Sequence, residues 1–174
     1  VLPTRYGLSY RHLSWSPDGK RLVIDDAENL NEPLALFLVS VQDGHKKRLT
    51  QPADLMIGDV DPRFSPDGAT ISFLRAAHRT SQEIYTVPAA GGAASQVTAD
   101  NRQISDHEWA AEPRTFVYAS NRGGEFRLWR LTLGGKPTAT GVYGEFPIQF
   151  ALSRKTTDVV YAVIPNDPNI WRLE

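Results

Sequence analysis

Five polar side chains are the candidates for binding chemistry in this sequence. They lie just before copies of a recurring turn motif, and they are His12, Asp59, Asp61, Asp106 and Glu108. Carboxylates and an imidazole grouped near the starts of strands can hold a cation or bond to a peptide. We therefore consider them a candidate polar pocket for a peptide segment or a cation. The simpler alternative is that these groups cap loops and bond to backbone amides, which is how most buried polar groups are satisfied.

Other catalytic or metal chemistry has little support in the sequence. Asp59-Val60-Asp61 begins like a calcium-binding EF-hand loop, but Arg63 and Phe64 stand where that loop requires an acidic residue and a glycine. The four histidines lack the spacing of a zinc-binding helix, and cysteine is absent. Neither a Gly-x-Ser-x-Gly elbow nor a phosphate-binding loop occurs. The sequence therefore predicts no catalytic residue, no metal and no cofactor.

An internal repeat defines the elements that would position the candidate residues. Its copies begin every 43 to 49 residues and occupy residues 15–24, 64–73, 109–118 and 152–161. The first contains the turn Ser16-Pro17-Asp18-Gly19, in which proline fixes φ and glycine accepts the left-handed conformation. Alternating apolar residues follow the turn and indicate a strand. A period of this length is typical of four-stranded propeller blades.

A second periodicity supports the same architecture. Aromatic residues recur in the predicted third strand of each copy, at Phe37, Tyr85, Trp129 and Trp171. One antiparallel sheet cannot cover both of its faces, so neighbouring blades must stack. We therefore expect the aromatic residues before the turns to be inter-blade core, namely Trp15, Phe64 and Trp109. The predicted fold is an all-β antiparallel β-propeller with about four blades of four strands, part of a larger propeller.

The expected domain organisation is one propeller fragment over residues 1–174, with blades at about 11–58, 59–104, 105–146 and 147–174. The last blade ends after its third strand. Residues 1–10 could supply the missing outer strand through Tyr6-Gly7-Leu8-Ser9, or belong to a preceding blade. Two chains could also associate to complete a larger ring. Uncovered apolar faces at the ends are a liability, so we expect them to be covered.

Charge and composition limit the partners. The chain has 19 Lys and Arg against 20 Asp and Glu, which gives a net charge of −1. Such a balance offers no basic surface to nucleic acid or to anionic lipid. No apolar run approaches the roughly 20 residues that span a bilayer, and no signal peptide is visible. Because the chain begins at Val1 rather than Met, we expect it to be a piece of a longer protein, in the cytoplasm or the periplasm.

The turn motifs carry a resemblance to a known family. Residues 15–19 and 64–68, with Gly-Gly and Leu-Thr or Val-Thr blade ends, resemble TolB-like propeller repeats. Residues 13–20, 58–65, 100–104, 119–124 and 169–173 resemble the C-terminal propellers of bacterial winged-helix transcriptional regulators. This resemblance implies a sensing or protein-interaction domain, with DNA bound only by a separate winged-helix domain absent from this chain. Periplasmic location would follow if a membrane helix preceded the propeller.

The expected function is therefore non-catalytic. The first interpretation is a sensor or protein-interaction domain of a bacterial transcriptional regulator, with a protein or peptide partner and no direct membrane contact. One alternative is a TolB-type periplasmic scaffold that binds proteins. Another is the gating propeller of a prolyl-oligopeptidase-type peptidase. Self-association that covers the open blade faces is a further expectation.

Overall fold

The computed structural model describes residues 12–29, 31–144, 149–153, 156, 158–162 and 170–173. These residues form strands, turns and loops, and none of them is helical. Accordingly, the described part of the chain holds no helix that could cross a membrane. The strands are β1 (Leu13–Trp15), β2 (Arg21–Asp26), β3 (Ala35–Ser40), β4 (Lys46–Arg48), β5 (Gly58–Phe64), β6 (Thr70–His78), β7 (Ser81–Pro88), β8 (Ser95–Gln96), β9 (Ile104–Trp109), β10 (Thr115–Ser120), β11 (Phe126–Thr132), β12 (Thr138–Gly144), β13 (Gln149–Leu152), β14 (Val159–Ala162) and β15 (Ile170–Leu173).

The strands form four antiparallel sheets in chain order. Sheet 1 is β1–β4, sheet 2 is β5–β8, sheet 3 is β9–β12 and sheet 4 is β13–β15, and within each sheet sequential strands are neighbours. The prediction of an all-β fold built from antiparallel four-stranded sheets is confirmed. The expected contribution of residues 1–10 to the last sheet falls outside the described residues, and the proposed blade boundaries stay a prediction.

The third-strand aromatic residues occupy one register. Phe37 lies opposite Ile24, Tyr85 opposite Phe73, Trp129 opposite Tyr118 and Trp171 opposite Tyr161. The last residue of each copy of the turn motif therefore pairs across the strands with the third-strand aromatic residue of the same sheet. This pairing repeats in all four sheets.

The Ser-Pro-Asp-Gly turns are held by the serine and aspartate side chains. Ser16 Oγ donates to Asp18 Oδ1 at 2.5 Å and accepts from the Arg21 amide at 2.9 Å. The second copy repeats the serine–aspartate bond at 2.5 Å between Ser65 and Asp67. Gly19 and its counterpart adopt φ values of 68° and 70°. The serine hydroxyl lowers the pKa of each aspartate, because it stabilises the carboxylate.

The third copy closes its turn differently. Pro113 stands where glycine stood and has no amide hydrogen to donate. The left-handed conformation moves one residue on, to Arg114 with a φ of 56°. Ala110 still donates to the Thr115 carbonyl at 2.9 Å, and Glu112 pairs with Arg130 at 2.6 Å. The hairpin thus survives the loss of the motif because other contacts replace those of serine, aspartate and glycine.

By its contacts the chain divides into two compact units, residues 1–99 and 100–174. The core of the first lies between sheets 1 and 2. Val23 and Leu36 of sheet 1 pack against Phe64, Ile71 and Phe73 of sheet 2. The expectation that Phe64 is inter-blade core is confirmed, since only 8% of it is exposed.

The expectation is wrong for Trp15. Its residue surface is 54% exposed, and Leu13 on the same face is 60% exposed. Residues two apart in a strand share a face. Ser14, between them, accepts a bond from the Phe64 amide at 3.2 Å and therefore faces sheet 2. Trp15 therefore points away from sheet 2.

The core of the second unit lies between sheets 3 and 4. Val117, Ala119 and Leu128 of sheet 3 pack with Phe150 of sheet 4, and Tyr161 is partly buried against them. Trp109 is not part of this cluster. It is 7% exposed and lies against Phe116, with ring centroids 3.9 Å apart and ring planes tilted by 37°.

Candidate functional site

His12 forms one half of a buried-carboxylate pair. It lies opposite Asp25, one position beyond the last ladder pair of β1 and β2, Leu13 with Ile24. Asp25 Oδ1 accepts from the His12 amide at 2.9 Å, and Asp25 Oδ2 lies 3.0 Å from His12 Nδ1. The Asp25 side chain is fully buried, whereas 44% of the imidazole is exposed. The buried Asp25 carboxylate therefore holds the partly exposed His12 imidazole in place.

Asp61 reaches the same carboxylate through its backbone. The Asp61 amide donates to Asp25 Oδ2 at 3.3 Å, which joins the first strand of sheet 2 to sheet 1. Asp61 has a φ of 51° at an irregularity of the β5–β6 ladder between Val60 and Arg63. Extra residues at such a bulge re-aim neighbouring side chains. The Asp61 carboxylate pairs with Arg63 at 3.1 Å, and the Arg63 side chain is 33% exposed.

The pKa of His12 is raised above its ordinary value of 6.5. The hydrogen bond to Asp25 is the largest cause, and the negative charge of Asp61 adds to it. Burial and the positive charge of Arg63 oppose the shift. We define His12, Asp25, Asp61 and Arg63 as the His12 cluster. It combines a partly exposed imidazole and guanidinium with two buried carboxylates, those of Asp25 and Asp61.

Asp59 was expected beside Asp61 in a polar pocket, but its side chain is fully buried. Its two oxygens accept from Arg75 Nε at 2.7 Å and from Arg75 Nη2 at 2.8 Å. The guanidinium also lies over the Tyr85 ring, 4.5 Å from its centroid. Bidentate pairing of this kind fixes both side chains. The Asp59 carboxylate is thus directed at Arg75 inside the sheet and not at solvent.

The arrangement of cation, aromatic ring and carboxylate recurs in other sheets. Lys46 lies over Phe37 at 4.1 Å and pairs with Asp26 at 2.6 Å. In sheet 3, Arg122 lies over Trp129 at 4.8 Å and pairs with Asp100 at 2.9 Å. Each third-strand aromatic residue of sheets 1 to 3 therefore carries a cation that a carboxylate holds in place. The cation and the carboxylate come from different repeat positions in each copy, so the sequence pattern did not predict this arrangement.

Asp106 and Glu108 lie on β9 in the second unit, and we describe them there alone. Asp106 Oδ2 accepts from the Phe150 amide of sheet 4 at 3.3 Å, and Oδ1 accepts from the His107 amide at 2.8 Å. Glu108 is half-buried and lies opposite Val117. Asp106 therefore links two sheets through backbone amides. The geometry does not test whether the five candidates bind a partner, and that stays a prediction.

Sequence reasoning missed Asp25, which organises the His12 cluster. Asp25 directly follows the apolar residues Leu22, Val23 and Ile24, where the sequence suggests the start of a polar loop, but it lies within β2. The other copies have Leu74, Ala119 and Ala162 in its place. This difference could have identified Asp25 as a candidate, since it is charged at a position where the other copies are apolar. Among the described residues, no group of three or more possible metal ligands comes together.

A groove of about 440 Å³ also opens between sheets 1 and 2. Arg48 and Arg75 line it, together with Thr50 and the Gly92–Ala94 segment. Arg48 is itself held, since Nη1 lies 3.3 Å from Glu32 and 3.4 Å from Glu28. The groove is therefore polar, and its charges are largely compensated.

Comparison with known families agrees with the repeat. The sequence matches the family model of the TolB beta propeller domain over residues 11–163. The chain belongs to the TolB beta propeller family. TolB from Acinetobacter baumannii is similar in structure, with a TM-score of 0.73, 24% identity, and coverage of 92% of this chain and 39% of that protein. This propeller therefore spans less than half the length of that TolB.

Similar folds also occur in enzymes. An oligogalacturonate lyase from Vibrio parahaemolyticus gives a TM-score of 0.70 at 15% identity, covering 94% of this chain and 50% of the lyase. The propeller domain of the Trilobed protease from Pyrococcus furiosus gives 0.59 at 14% identity, covering 95% and 55%. At these identities the likeness concerns the fold alone. No curated protein sequence matches the chain.

Proposed function

We propose that this propeller is a non-catalytic, TolB-type protein-binding scaffold, and that its partner contacts the His12 cluster. Membership of the TolB family supports the class of function. The comparisons match TolB proteins, peptidases and lyases, and they give no support to the expected link with a transcriptional regulator. The TolB-type alternative is therefore the better proposal.

The observation that carries the proposal is the fixed geometry of the His12 cluster. A recognition surface binds best when its polar groups are held in place before the partner arrives, since less ordering is then needed. His12 is anchored by two contacts to the buried Asp25, and Arg63 by its pair with Asp61. The exposed parts of these side chains offer a peptide one imidazole and one guanidinium. Arg63 lies on β5, and His12 immediately precedes β1.

The proposed partner is a peptide segment that carries a carboxylate or backbone carbonyls. Arginine presents a planar fork that suits such acceptors, and a protonated His12 donates as well. The carboxylates of Asp25 and Asp61 offset the positive charge of Arg63 and of a protonated His12. This balance favours a partner of mixed charge over nucleic acid, which requires a basic surface.

A direct test is to pan a random peptide display library against the immobilised chain. Enriched peptides should bind His12→Gln and Arg63→Ala variants at least about tenfold more weakly, as expected where a central contact is removed. His45→Ala and Arg102→Ala are matched controls, since both residues are exposed and lie outside the cluster. Circular dichroism would establish that each variant is folded.

Two outcomes would refute the proposal. One is enrichment of peptides whose affinity is unchanged in both cluster variants. The other is an equal loss in the control variants. Assays of the chain for peptide and polysaccharide cleavage address the non-catalytic part separately, and turnover that survives purification to homogeneity would contradict it.

A further inference from the structure

The groove between sheets 1 and 2 is a candidate ligand site that shares no residue with the His12 cluster. Its volume of about 440 Å³ lies within the range of roughly 300 to 1,000 Å³ that is typical of ligand pockets. Residues 48–51 of the chain after and including the end of β4 line it, together with Arg75 of β6 and residues 92–94 of the β7–β8 connection. All four strands of both sheets are described, so the structure defines both walls of the groove.

Two arginines from neighbouring sheets line the groove in fixed orientations. Arg75 binds the fully buried Asp59 through Nε at 2.7 Å and through Nη2 at 2.8 Å. Arg48 Nε donates to the Thr50 carbonyl at 3.1 Å, and its guanidinium lies 5.6 Å from the centroid of the Phe37 ring. A guanidinium is a planar fork that suits a carboxylate. Because both forks are ordered beforehand, little further ordering is needed when a ligand binds.

The charges of the two arginines are compensated to different degrees. The Asp59 side chain is fully buried and stays bound to Arg75. Arg48 instead meets Glu32 at 3.3 Å and Glu28 at 3.4 Å, and these two side chains are 35% and 57% exposed. Exposed ion pairs of this kind contribute little free energy. A carboxylate brought by a ligand can therefore displace the glutamates from Arg48 at a small cost.

The β7–β8 connection gives the groove a wall with little side-chain bulk. Residues 89–94 are Ala-Ala-Gly-Gly-Ala-Ala, and Gly91 and Gly92 adopt φ values of 99° and 138°. Within the part of the chain that the structure describes, the amides of Gly92 and Ala93 donate no hydrogen bond. This wall therefore offers a ligand backbone donors in place of side chains.

We propose that this groove binds a short peptide through its C-terminal carboxylate, which Arg48 receives in exchange for Glu28 and Glu32. The carboxylates of these two glutamates already occupy positions beside the guanidinium, so a ligand carboxylate suits the same place. The peptide backbone pairs with the wall formed by residues 92–94. The two glutamates act as internal competitors that weaken binding. The site is separate from the His12 cluster, so its failure would leave the proposed function untouched.

A titration of the isotope-labelled chain with N-acetyl-triglycine, followed by nuclear magnetic resonance, measures binding residue by residue. Saturable shifts are expected at the amides of residues 50–51 and 92–94. N-acetyl-triglycinamide, which lacks the carboxylate, should bind at least about tenfold more weakly, because a hydrogen bond to a charged group is lost. Arg48→Gln should weaken binding of N-acetyl-triglycine by a similar factor. Arg102→Gln is the matched control, since Arg102 is exposed and lies outside the groove.

Substituting the glutamates distinguishes a ligand site from an ion pair that only supports the fold. The double change Glu28→Gln with Glu32→Gln should strengthen binding of N-acetyl-triglycine by about threefold, since two exposed competing pairs are removed. Glu125→Gln is the matched control, because it removes another exposed carboxylate paired with an arginine, Arg127 at 3.5 Å, and should leave the affinity unchanged. Unchanged or weaker binding in the double variant would show that the glutamates do not compete and would overturn the proposal.

A steric variant makes the test independent of charge. Ala93→Trp fills the groove and should abolish the shifts, whereas Ala90→Trp lies in the same connection outside the groove lining and should not. Shifts that do not saturate, equal binding of the amide probe, or an affinity unchanged in Ala93→Trp would each refute the site. Tighter binding of inorganic phosphate than of N-acetyl-triglycine would also refute it, since the groove would then be a general anion site. If circular dichroism shows that Arg48→Gln unfolds, the alanine and glutamate variants decide.

Discussion

Replacing Arg75 with methionine tests whether the buried Asp59 pair holds sheet 2 together. The change keeps much of the apolar stem but removes both hydrogen bonds, of 2.7 and 2.8 Å. It leaves the Asp59 carboxylate fully buried and without its cation. We expect a large loss of stability, because an uncompensated charge remains in the protein interior.

The magnitude follows from burial. Removing one partner of a buried ion pair lowers the free energy of unfolding by about 3 to 5 kcal/mol. A comparison site exists in sheet 3, where Arg122 lies over Trp129 at 4.8 Å, much as Arg75 lies over Tyr85 at 4.5 Å. There the Asp100 side chain is 22% exposed, so water can solvate it after the change. Arg122→Met should lower the free energy of unfolding by only about 1 kcal/mol.

Urea unfolding followed by fluorescence and by circular dichroism would measure both variants, with the slope of the transition checked against the unchanged chain. Both variants lose a cation–ring contact, over Tyr85 and Phe73 in one case and over Trp129 in the other, so this loss contributes at both sites. The double change Asp59→Ile with Arg75→Met should recover much of the loss, since it removes the buried charge. Isoleucine is the residue of the third copy at this position, Ile104.

Equal losses at Arg75 and Arg122, or a double change that recovers none of the loss caused by Arg75→Met, would refute the view that the unpaired buried charge is responsible.

Two further predictions concern single residues. Because the pKa of His12 is raised on folding, its contribution to stability should be complete below its ordinary value of 6.5 and lost as the pH rises through the higher folded value. Urea midpoints across pH values of about 5 to 9 should show this fall, and His12→Gln should abolish it. Gly58→Ala should lower the thermal midpoint severely, because Gly58 has a φ of 120° and a Cβ there would overlap the Leu34 backbone. Gly19→Ala, with a φ of 68° and nothing within 4 Å, should cost about 1 kcal/mol.

Much of the fold was predictable because the repeat carries two independent signals. The Ser-Pro-Asp-Gly turn fixes where the chain reverses, and the third-strand aromatic residue fixes the register of the hairpin that follows. Ser16 lies in the β1–β2 hairpin and Phe37 in the β2–β3 hairpin, and the two hairpins share β2, so both signals are local. The burial of Phe64 followed from the stacking of sheets. The exposure of Trp15 could not be predicted in this way, because the repeat indicates which face of a sheet is apolar but not which element covers that face.

The candidate site was less predictable, because it depends on contacts between copies of the repeat. His12 and Asp61 were singled out from their shared position, yet the residue that connects them is Asp25, from a different strand. Asp59 is only two residues before Asp61, but its carboxylate accepts a hydrogen bond from Arg75 instead. Neighbouring residues of a strand point to opposite faces, and a bulge shifts the alternation. Spacing alone therefore does not show which carboxylates meet.

The linkage between sheets explains why the linking carboxylates occupy different repeat positions in the two units. In the first unit the amide of Asp61, on the first strand of sheet 2, donates to Asp25 on the second strand of sheet 1. In the second unit the amide of Phe150, on the first strand of sheet 4, donates to Asp106 on the first strand of sheet 3. Residues opposite each other in an antiparallel pair lie only about 5 Å apart. A carboxylate on either strand can thus reach the same amide of the next sheet. The next sheet requires a carboxylate acceptor near this amide. That carboxylate can come from the first strand, as at Asp106, or from the second strand, as at Asp25.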